Sequence, residues 1–585
     1  MPERKSRRKS HLSLVRSRQK PQGAAQLLGS EIHLDGSQRG AGSLRVHLVY
    51  PNTYHVGMSS LGYQTVLGLF SRQPQVTVER CFMPSDRQGR AEAGKPVTLE
   101  SGRLLSDCDL LCASLSFEGD YLNFLGMLRA CGLLFENPET RAEAAQQGRY
   151  DHPLILAGGT AVTLNPEPLA DFLDLVALGE AEELVPEIVR LLCAVRSAEP
   201  GRRELLEKLS LIDGVYVPAL HKVRYRDEGP VAAFESEVRR ARRRFVADIS
   251  KHPACSLILT PHTEFSSMFL AETGRGCEMG CRFCAAGYIY RPVRRQKTEV
   301  LSGRLSRGMQ HTRTVGLMGA AVSAHRSVTD LVRQVSKEGG RASLSSLMSQ
   351  KVTADLSDEL AAGGQKTVAL APEAATERLR FAVGKRVSDA QILTAASRLS
   401  RSGIRRLKLY FMVGLPTEER QDIEAIPDLV AAVLGAASLD GDGKTVSVEV
   451  SLAPFVPKAW TPFQWEPVMD RKELEWRVDY VRNSLRTIAN ASIDSESVRE
   501  TVLQALLSRG DRRVGRLLYA ACQQGRDWKW LVAHSDRELV ASVPAVDFYV
   551  FRRIPFDEVL PWEIMDAGID RALLRREAER ARSGG

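Results

Sequence analysis

The chain has 585 residues, 43% hydrophobic and 26% charged, with 45 glycines and a formal net charge of +9. It is too long for one core and too apolar for a fibrous or mainly disordered chain, so two to four packed units of an α/β body are expected. Ten cysteines spread over this length exclude a disulfide scaffold and fit a reducing, cytoplasmic setting. The longest mostly apolar stretches, such as LVAAVLGAASL, are too short to cross a bilayer, so no membrane partner is expected. The positive charge permits RNA or another anionic partner, but much of it is local, in residues 4–20 and in the arginine run 239–244. The plainer reading of both is solvated charge.

Residues 1–40 are basic, polar and Gly/Ser-rich, which predicts a flexible arm. From LRVHLVYPN onward, strands alternate with helices: LRVHLVY, then YQTVLGLFSRQ, VTVERCFMP, LLCASLSF and the following helix, PLILAGG, and DLVALGEAEELVPEIVRLLCAV. This alternation predicts parallel βαβ units and one doubly wound Rossmann-like domain over residues 41–200. Residues 201–265 read as a connecting subdomain. The candidates FLAETG, TVGLMG, ASLSSL, TVALAPE, RLKLYFMVG and VSVEVSLAPF then alternate with helical stretches, predicting a partial, open (β/α)6 barrel over residues 266–470 with active groups at the C-terminal ends of its strands. The charged, helical text beyond it predicts a helical C-terminal domain over residues 471–585.

The loop after FLAETG carries Cys277, Cys281 and Cys284 in the spacing C-x3-C-x2-C. One glycine-rich loop can aim three sulfurs at a shared group. A cluster built only for electron transfer normally uses four cysteines, whereas three leave one iron open to an exchangeable small molecule. Two plainer readings stay open at this point: a zinc site completed by Cys255 or His262, and unrelated buried thiols.

The loop, with Phe283 just before its last cysteine, resembles the signature of the radical S-adenosylmethionine (SAM) superfamily. The resemblance implies that the three cysteines hold a [4Fe-4S] cluster, that SAM chelates the fourth iron, and that reduction cleaves SAM to a 5'-deoxyadenosyl radical, with an electron donor such as a flavodoxin or ferredoxin as partner. Weaker motifs come next, in order. Gly319 in VGLMGAA matches the turn that holds the SAM amino group; Glu373, Thr376 and Arg378 in LAPEAATERLR match a strand end near the ribose and carboxylate; Gly414 in LKLYFMVGLP matches the strand beside the adenine. Ala374 and Ala375 depart from the usual Ser and Gly. Glu373 as a helix cap and Arg378 as a surface residue are the plainer alternatives.

The segment GGTAVTLNPEPLADFLDLVALGEAEE resembles the cobalamin-binding-type domain that precedes many such barrels, through Gly158, Gly159, Asn165, Pro166, Glu167, Gly179 and Glu180. It implies cobalamin as a third cofactor; a fold kept for structure or substrate binding is the alternative. No Asp-x-His-x-x-Gly motif supplies an axial histidine, and His55 is the nearest candidate. Cys108 and Cys112 suit core packing better than a second cluster. Trp460, Phe463 and Trp465 suit either interdomain packing or stacking on a base, and RGDRRVGRLL either a phosphate contact or charged helix surface. The reading is a radical SAM enzyme whose radical starts methylation, methylthiolation or another reaction on an unidentified substrate. An RNA-modifying enzyme of the same class and a non-catalytic iron–sulfur or zinc protein are the rivals.

Overall fold

The structure is a computed structural model that describes residues 23–34, 42–83, 95–135, 140, 153–195, 201–227, 229–438, 445–534 and 543–583. The basic cluster of residues 4–20 lies outside them. The first sheet is built from β1 (Leu44–Tyr50), β2 (Val76–Phe82), β3 (Leu110–Ser114), β4 (Leu154–Gly158), β5 (Leu175–Ala177) and β6 (Val215–Tyr216). Their order is β2-β1-β3-β4-β5-β6, with all neighbours parallel except β6, which runs antiparallel on the edge. The order reverses between β1 and β3, a switch point of the kind at which doubly wound sheets open a crevice beyond their strand ends.

Period-two alternation explains why both faces of this sheet are covered. Leu44, Val46 and Leu48 of β1, Leu110 and Cys112 of β3, and Leu154 and Leu156 of β4 pack on one face beneath the helices Leu61–Ser71 and Ala181–Val195. Val49, Leu111, Ala113, Ile155 and Ala157 face the other way, into a core continuous with the rest of the chain. The Rossmann-like unit therefore buries one of its faces against the second half of the molecule.

That second half is an arc of parallel strands: β7 (Phe269–Arg275), β8 (Thr314–Gly319), β9 (Arg341–Leu344), β10 (Thr367–Glu373), β11 (Arg406–Val413), β12 (Ser447–Pro454) and β13 (Ala491–Ser495). β7-β8-β9 and β10-β11-β12-β13 form two ladders joined by a parallel bridge between Leu347 and Leu370. Among the described residues the arc does not close. Helices cross between successive strands and bury one stripe each: in Val328–Lys337, Val328, Leu331, Val332 and Val335 fall on one face, each contributing about 2 kcal/mol of burial. Starts are set locally, as at Ser388, whose hydroxyl accepts from the Gln391 amide while the Gln391 side chain accepts from the Ser388 amide.

The strand candidates from FLAETG to VSVEVSLAPF all form strands of this arc, but three expectations need correction. Helix Arg471–Leu485 and β13 continue the arc, so the sheet extends past residue 470, and the segment after it is not wholly helical. Within the expected arm, Ala24–Gly29 is helical, Ile32–His33 pairs with Ile258–Leu259, and Glu31 is buried against Arg80 at 2.6 Å. This segment is anchored by a buried charge that composition gives no hint of. Residues 201–265 are not a single connector, since β6 belongs to the first sheet and helix Arg202–Ser210 packs into its core through Leu206 and Leu209. No helix among the described residues is long and apolar enough to cross a membrane.

The arginines of RGDRRVGRLL, expected as a phosphate contact or charged helix surface, are largely internal, whereas Arg239, Arg240 and Arg242 of the other run are exposed as expected. Arg512 pairs with Glu167 at 3.1 Å, Arg513 with Asp511 at 2.6 Å, and Arg509 donates to the Val550 carbonyl. Asn165, two residues before Glu167, donates to the carbonyls of Ser508 and Gly510. Through these contacts the C-terminal helices are fastened to the first sheet.

Candidate active site at the facing strand ends

β7 ends at Arg275, and the cysteine loop fills the gap to the helix Ala286–Ile289. The loop is clamped from outside: the Arg282 amide donates to the Val383 carbonyl at 2.9 Å, its guanidinium reaches the Ala382 carbonyl at 2.6 Å and Glu577 at 3.1 Å, and Tyr288 Oη donates to the Gly280 carbonyl. Cys281 is buried, and Cys277 and Cys284 are half-buried. Burial pushes the Cys281 thiol up to about 12 against the opposing pull of Lys385, and it raises Cys284 as well. Thiols held this way become thiolates only with a metal's positive charge beside them. Among the described residues no three His, Cys, Asp or Glu side chains converge as ligands of a single ion. The donor set, three neighbouring sulfurs and no nitrogen, suits an iron–sulfur group, whose cysteines bind separate irons.

The other expected site residues divide into those facing the loop and those engaged elsewhere. Glu373, at the end of β10, has a left-handed backbone (φ 70°) and pairs with Lys385 at 3.2 Å. Burial raises its carboxyl despite that ammonium, and the pair lies close enough to Cys281 to influence its charge. Lys385 carried no sequence signal; it sits in the loop VGKRVS and is found only through the fold. Gly319 ends β8 beside Gly274; a side chain there would lie 3.0 Å from Thr273 Oγ1 and 3.1 Å from the Gly274 carbonyl at φ 151°, so this close approach requires glycine.

Thr376 caps the helix Glu377–Ala382, its Oγ1 accepting from the Leu379 amide, and both Thr376 and Arg378 are bonded to the buried Asp422. Those two side chains are therefore spent on tying β10 to the helix after β11. Gly414 approaches Leu474 and Met469, and its amide donates to Glu418 at 2.8 Å. Phe283 packs with Ala374, Leu379, Val383 and Ala581 in a small core of its own. Trp460, Phe463 and Trp465 are buried, and Trp460 Nε1 donates to the Leu164 carbonyl, which decides for packing over an aromatic platform. Cys112 is buried in the first sheet and Cys108 packs against the core.

Between the C-terminal ends of the two sheets lies a cavity of about 390 Å³. Part of its lining is apolar, with Leu48, Val66, Phe70, Leu156, Val185 and Ile188; another part carries Ser114, Ser116, Thr160 and Thr163, and the second half contributes Glu272, Gly274, Gly276, Gly319 and Ala320. Gly159 lets the wall close, since a side chain at its φ of 113° would meet the Leu115 carbonyl at 2.4 Å. The lining is braced by Arg275, paired with Glu180 at 2.9 Å, Glu182 at 2.5 Å and Glu272 at 2.9 Å. Gly158, Gly159, Gly179 and Glu180, singled out from the sequence, all line this cavity; Asn165 and Glu167 do not, because they bind the C-terminal helices. His55 is not in the lining, and its Nε2 lies 3.2 Å from Glu264.

Comparison with known proteins gives the same division. Residues 62–218 match the family model "Radical SAM proteins, N-terminal", and residues 271–430 match "Radical SAM superfamily". An uncharacterized protein, MJ0966, of Methanocaldococcus jannaschii is 26% identical over 482 residues, covering 81% of this chain and 90% of that one. Among solved structures, the radical SAM methyltransferase TsrM from Kitasatospora setae, with cobalamin and a [4Fe-4S] cluster bound, is similar at a TM-score of 0.46 and 15% identity over 72% of this chain and 74% of that chain. The cobalamin-dependent radical SAM enzyme OxsB, with aqua-cobalamin and SAM bound, reaches 0.48 and 12% over 92% and 79%. With the cysteine loop and both family models falling on the two sheets whose ends face each other, the chain belongs to the radical SAM superfamily and is an enzyme of that class.

Proposed function

We propose that Cys277, Cys281 and Cys284 hold a [4Fe-4S] cluster with SAM at its fourth iron, and that the cavity between the sheets takes cobalamin. When bound, the cluster and SAM supply a 5'-deoxyadenosyl radical, and cobalamin adds a carrier for a methyl group, so methylation of an organic substrate is the reaction this pairing suits best. The observation that carries the reading is the cavity itself. It opens at the switch point of a doubly wound sheet and shares Gly274, Gly276 and Gly319 with the rim of the cysteine loop.

The chain's own part is positioning and exclusion of water. Arg282 and Tyr288, neither of which lines the cavity, hold the cysteine loop in shape. Lys385 and Glu373 place one positive and one negative group beside the sulfurs. Leu48, Val66 and Phe70 offer an apolar sleeve, and Ser114, Ser116 and Thr160 offer hydroxyls to amide-rich edges.

Anaerobic reconstitution with iron and sulfide, then addition of reductant and SAM, is expected to yield 5'-deoxyadenosine and methionine. Hydroxocobalamin should co-elute with the full chain, and Ala177→Phe, which pushes a ring into the cavity wall, should weaken that retention while iron content persists. A fully iron-loaded protein that makes no 5'-deoxyadenosine overturns the first half, and a chain that never retains cobalamin overturns the second.

A further inference from the structure

A second cavity, of about 460 Å³, abuts the cysteine loop and is lined by Cys277, Glu278, Arg242, Arg243, Phe245 and Arg291. Arg243 forms part of the wall of both cavities. The residue is 8% exposed; Nε donates to the Ala567 carbonyl at 3.0 Å and Nη2 to the Arg291 carbonyl at 2.8 Å, while Nη1 is buried with no hydrogen-bond partner. Among the described residues no carboxylate lies within ion-pair distance of Arg243 or Arg291. The acids nearby are engaged: Glu278 pairs with Arg295, Asp566 stands 3.7 Å from Arg242, and Glu180 is taken by Arg275 and Arg294.

A buried guanidinium with an idle donor costs folding free energy unless something accepts from it. Two donors are fixed by backbone carbonyls, the third has no partner, and the guanidinium lies 5.5 Å from the centre of the Phe245 ring, so the group keeps hydrogen-bonding capacity for an oxyanion. Phe245, 39% exposed at the rim, adds a flat apolar face beside it. Three arginines and one aromatic ring line the same cavity, a combination that fits a small anion with an apolar body.

We propose that this pocket binds a phosphate or carboxylate group of the substrate, with Arg243 and Arg291 gripping the anion and Phe245 covering an adjoining apolar or planar portion, so that the substrate is anchored beside Cys277. The placement beside the reacting centre rests on the radical SAM reading; anion binding itself does not. The pairing of anion and ring also narrows the substrate to an organic phosphate or an organic acid with an apolar body.

The test is calorimetric titration of the reconstituted full chain with three probes: phenyl phosphate, inorganic phosphate and L-methionine. Phenyl phosphate is expected to bind about tenfold more tightly than inorganic phosphate. Arg243→Gln should weaken both, and Phe245→Leu should shrink the gap between them. Should Arg243→Gln fail to fold, as judged by circular dichroism, Arg291→Gln gives the same reading from the pocket wall. The proposal is overturned if the wild-type chain binds no phenyl phosphate, if binding is unchanged in folded arginine variants, or if methionine displaces the probe, which would assign the pocket to SAM. It is equally overturned if the variants bind phenyl phosphate normally and lose only their rate of reduction by an acidic flavodoxin. Iron content and 5'-deoxyadenosine, measured on the same samples, report separately on the cluster.

Discussion

Arg294 and Glu180 form a two-pronged buried ion pair across the two halves of the molecule, with Nη1 to Oε2 at 2.8 Å and Nη2 to Oε1 at 2.7 Å. Arg294 lies just after the cysteine loop and Glu180 just after β5, so the pair sets the distance between the facing strand ends. Glu180 also accepts from Arg275 and from the Val246 amide. Glu180→Gln would leave two buried guanidiniums short of charge, and removing one partner of such a pair costs about 3–5 kcal/mol. The expected outcome is a lower urea midpoint with weakened cobalamin retention. A midpoint equal to wild type would show that the two halves are held by apolar packing alone.

His221 gives a pH dependence with a defined sign. Burial and the nearby Arg512 push its imidazole down to about 4, whereas an unfolded histidine titrates near 6.5. The folded chain therefore resists a proton that the unfolded chain accepts. The stability this group contributes is full above about pH 6.5 and is lost as pH falls toward about 4, amounting to about 2 kcal/mol by pH 5. Chemical denaturation at about pH 7.5 and pH 5 should show a steeper loss for wild type than for His221→Gln. Parallel losses would mean that the imidazole is not held neutral.

Asp422 tests the reassignment of Thr376 and Arg378. Its carboxylate is buried and bonded to both, so Asp422→Ala removes an acceptor from a hydroxyl and from a half-exposed arginine and should cost about 1–2 kcal/mol. Iron content after reconstitution should match wild type in the folded variant. A loss of iron with unchanged stability would place this trio in the site after all.

The parts legible in the sequence are those with local causes. The strands from FLAETG to VSVEVSLAPF announce themselves by short apolar runs bounded by turn residues, and both ends of the cysteine loop are marked by glycines. β13 escaped because ASIDS is short, polar and half-exposed on an edge, so its period gives no apolar face. Thr376 and Arg378 matched a motif, yet their partner Asp422 lies over forty positions away in a helix whose sequence ERQD reads as solvent-facing. The same holds for Arg243 and Glu31. Each is a charged residue whose burial is decided by a partner or a carbonyl far along the chain, and such pairing leaves no periodicity to read. RGDRRVGRLL misled for that reason, while Arg239, Arg240 and Arg242 stay exposed: charge predicts exposure until the fold supplies a partner.

The central claim is an iron with an exchangeable position, held next to three protein sulfurs. The most direct measurement is electron paramagnetic resonance of the reduced, reconstituted chain, with electron–nuclear double resonance after adding SAM labelled with 15N at its amino group or 17O in its carboxylate. Hyperfine coupling from the label to the cluster is predicted, together with loss of the signal in Cys277→Ser, Cys281→Ser and Cys284→Ser. A cluster whose spectrum ignores SAM, or a protein that retains one zinc and no sulfide, would contradict the account.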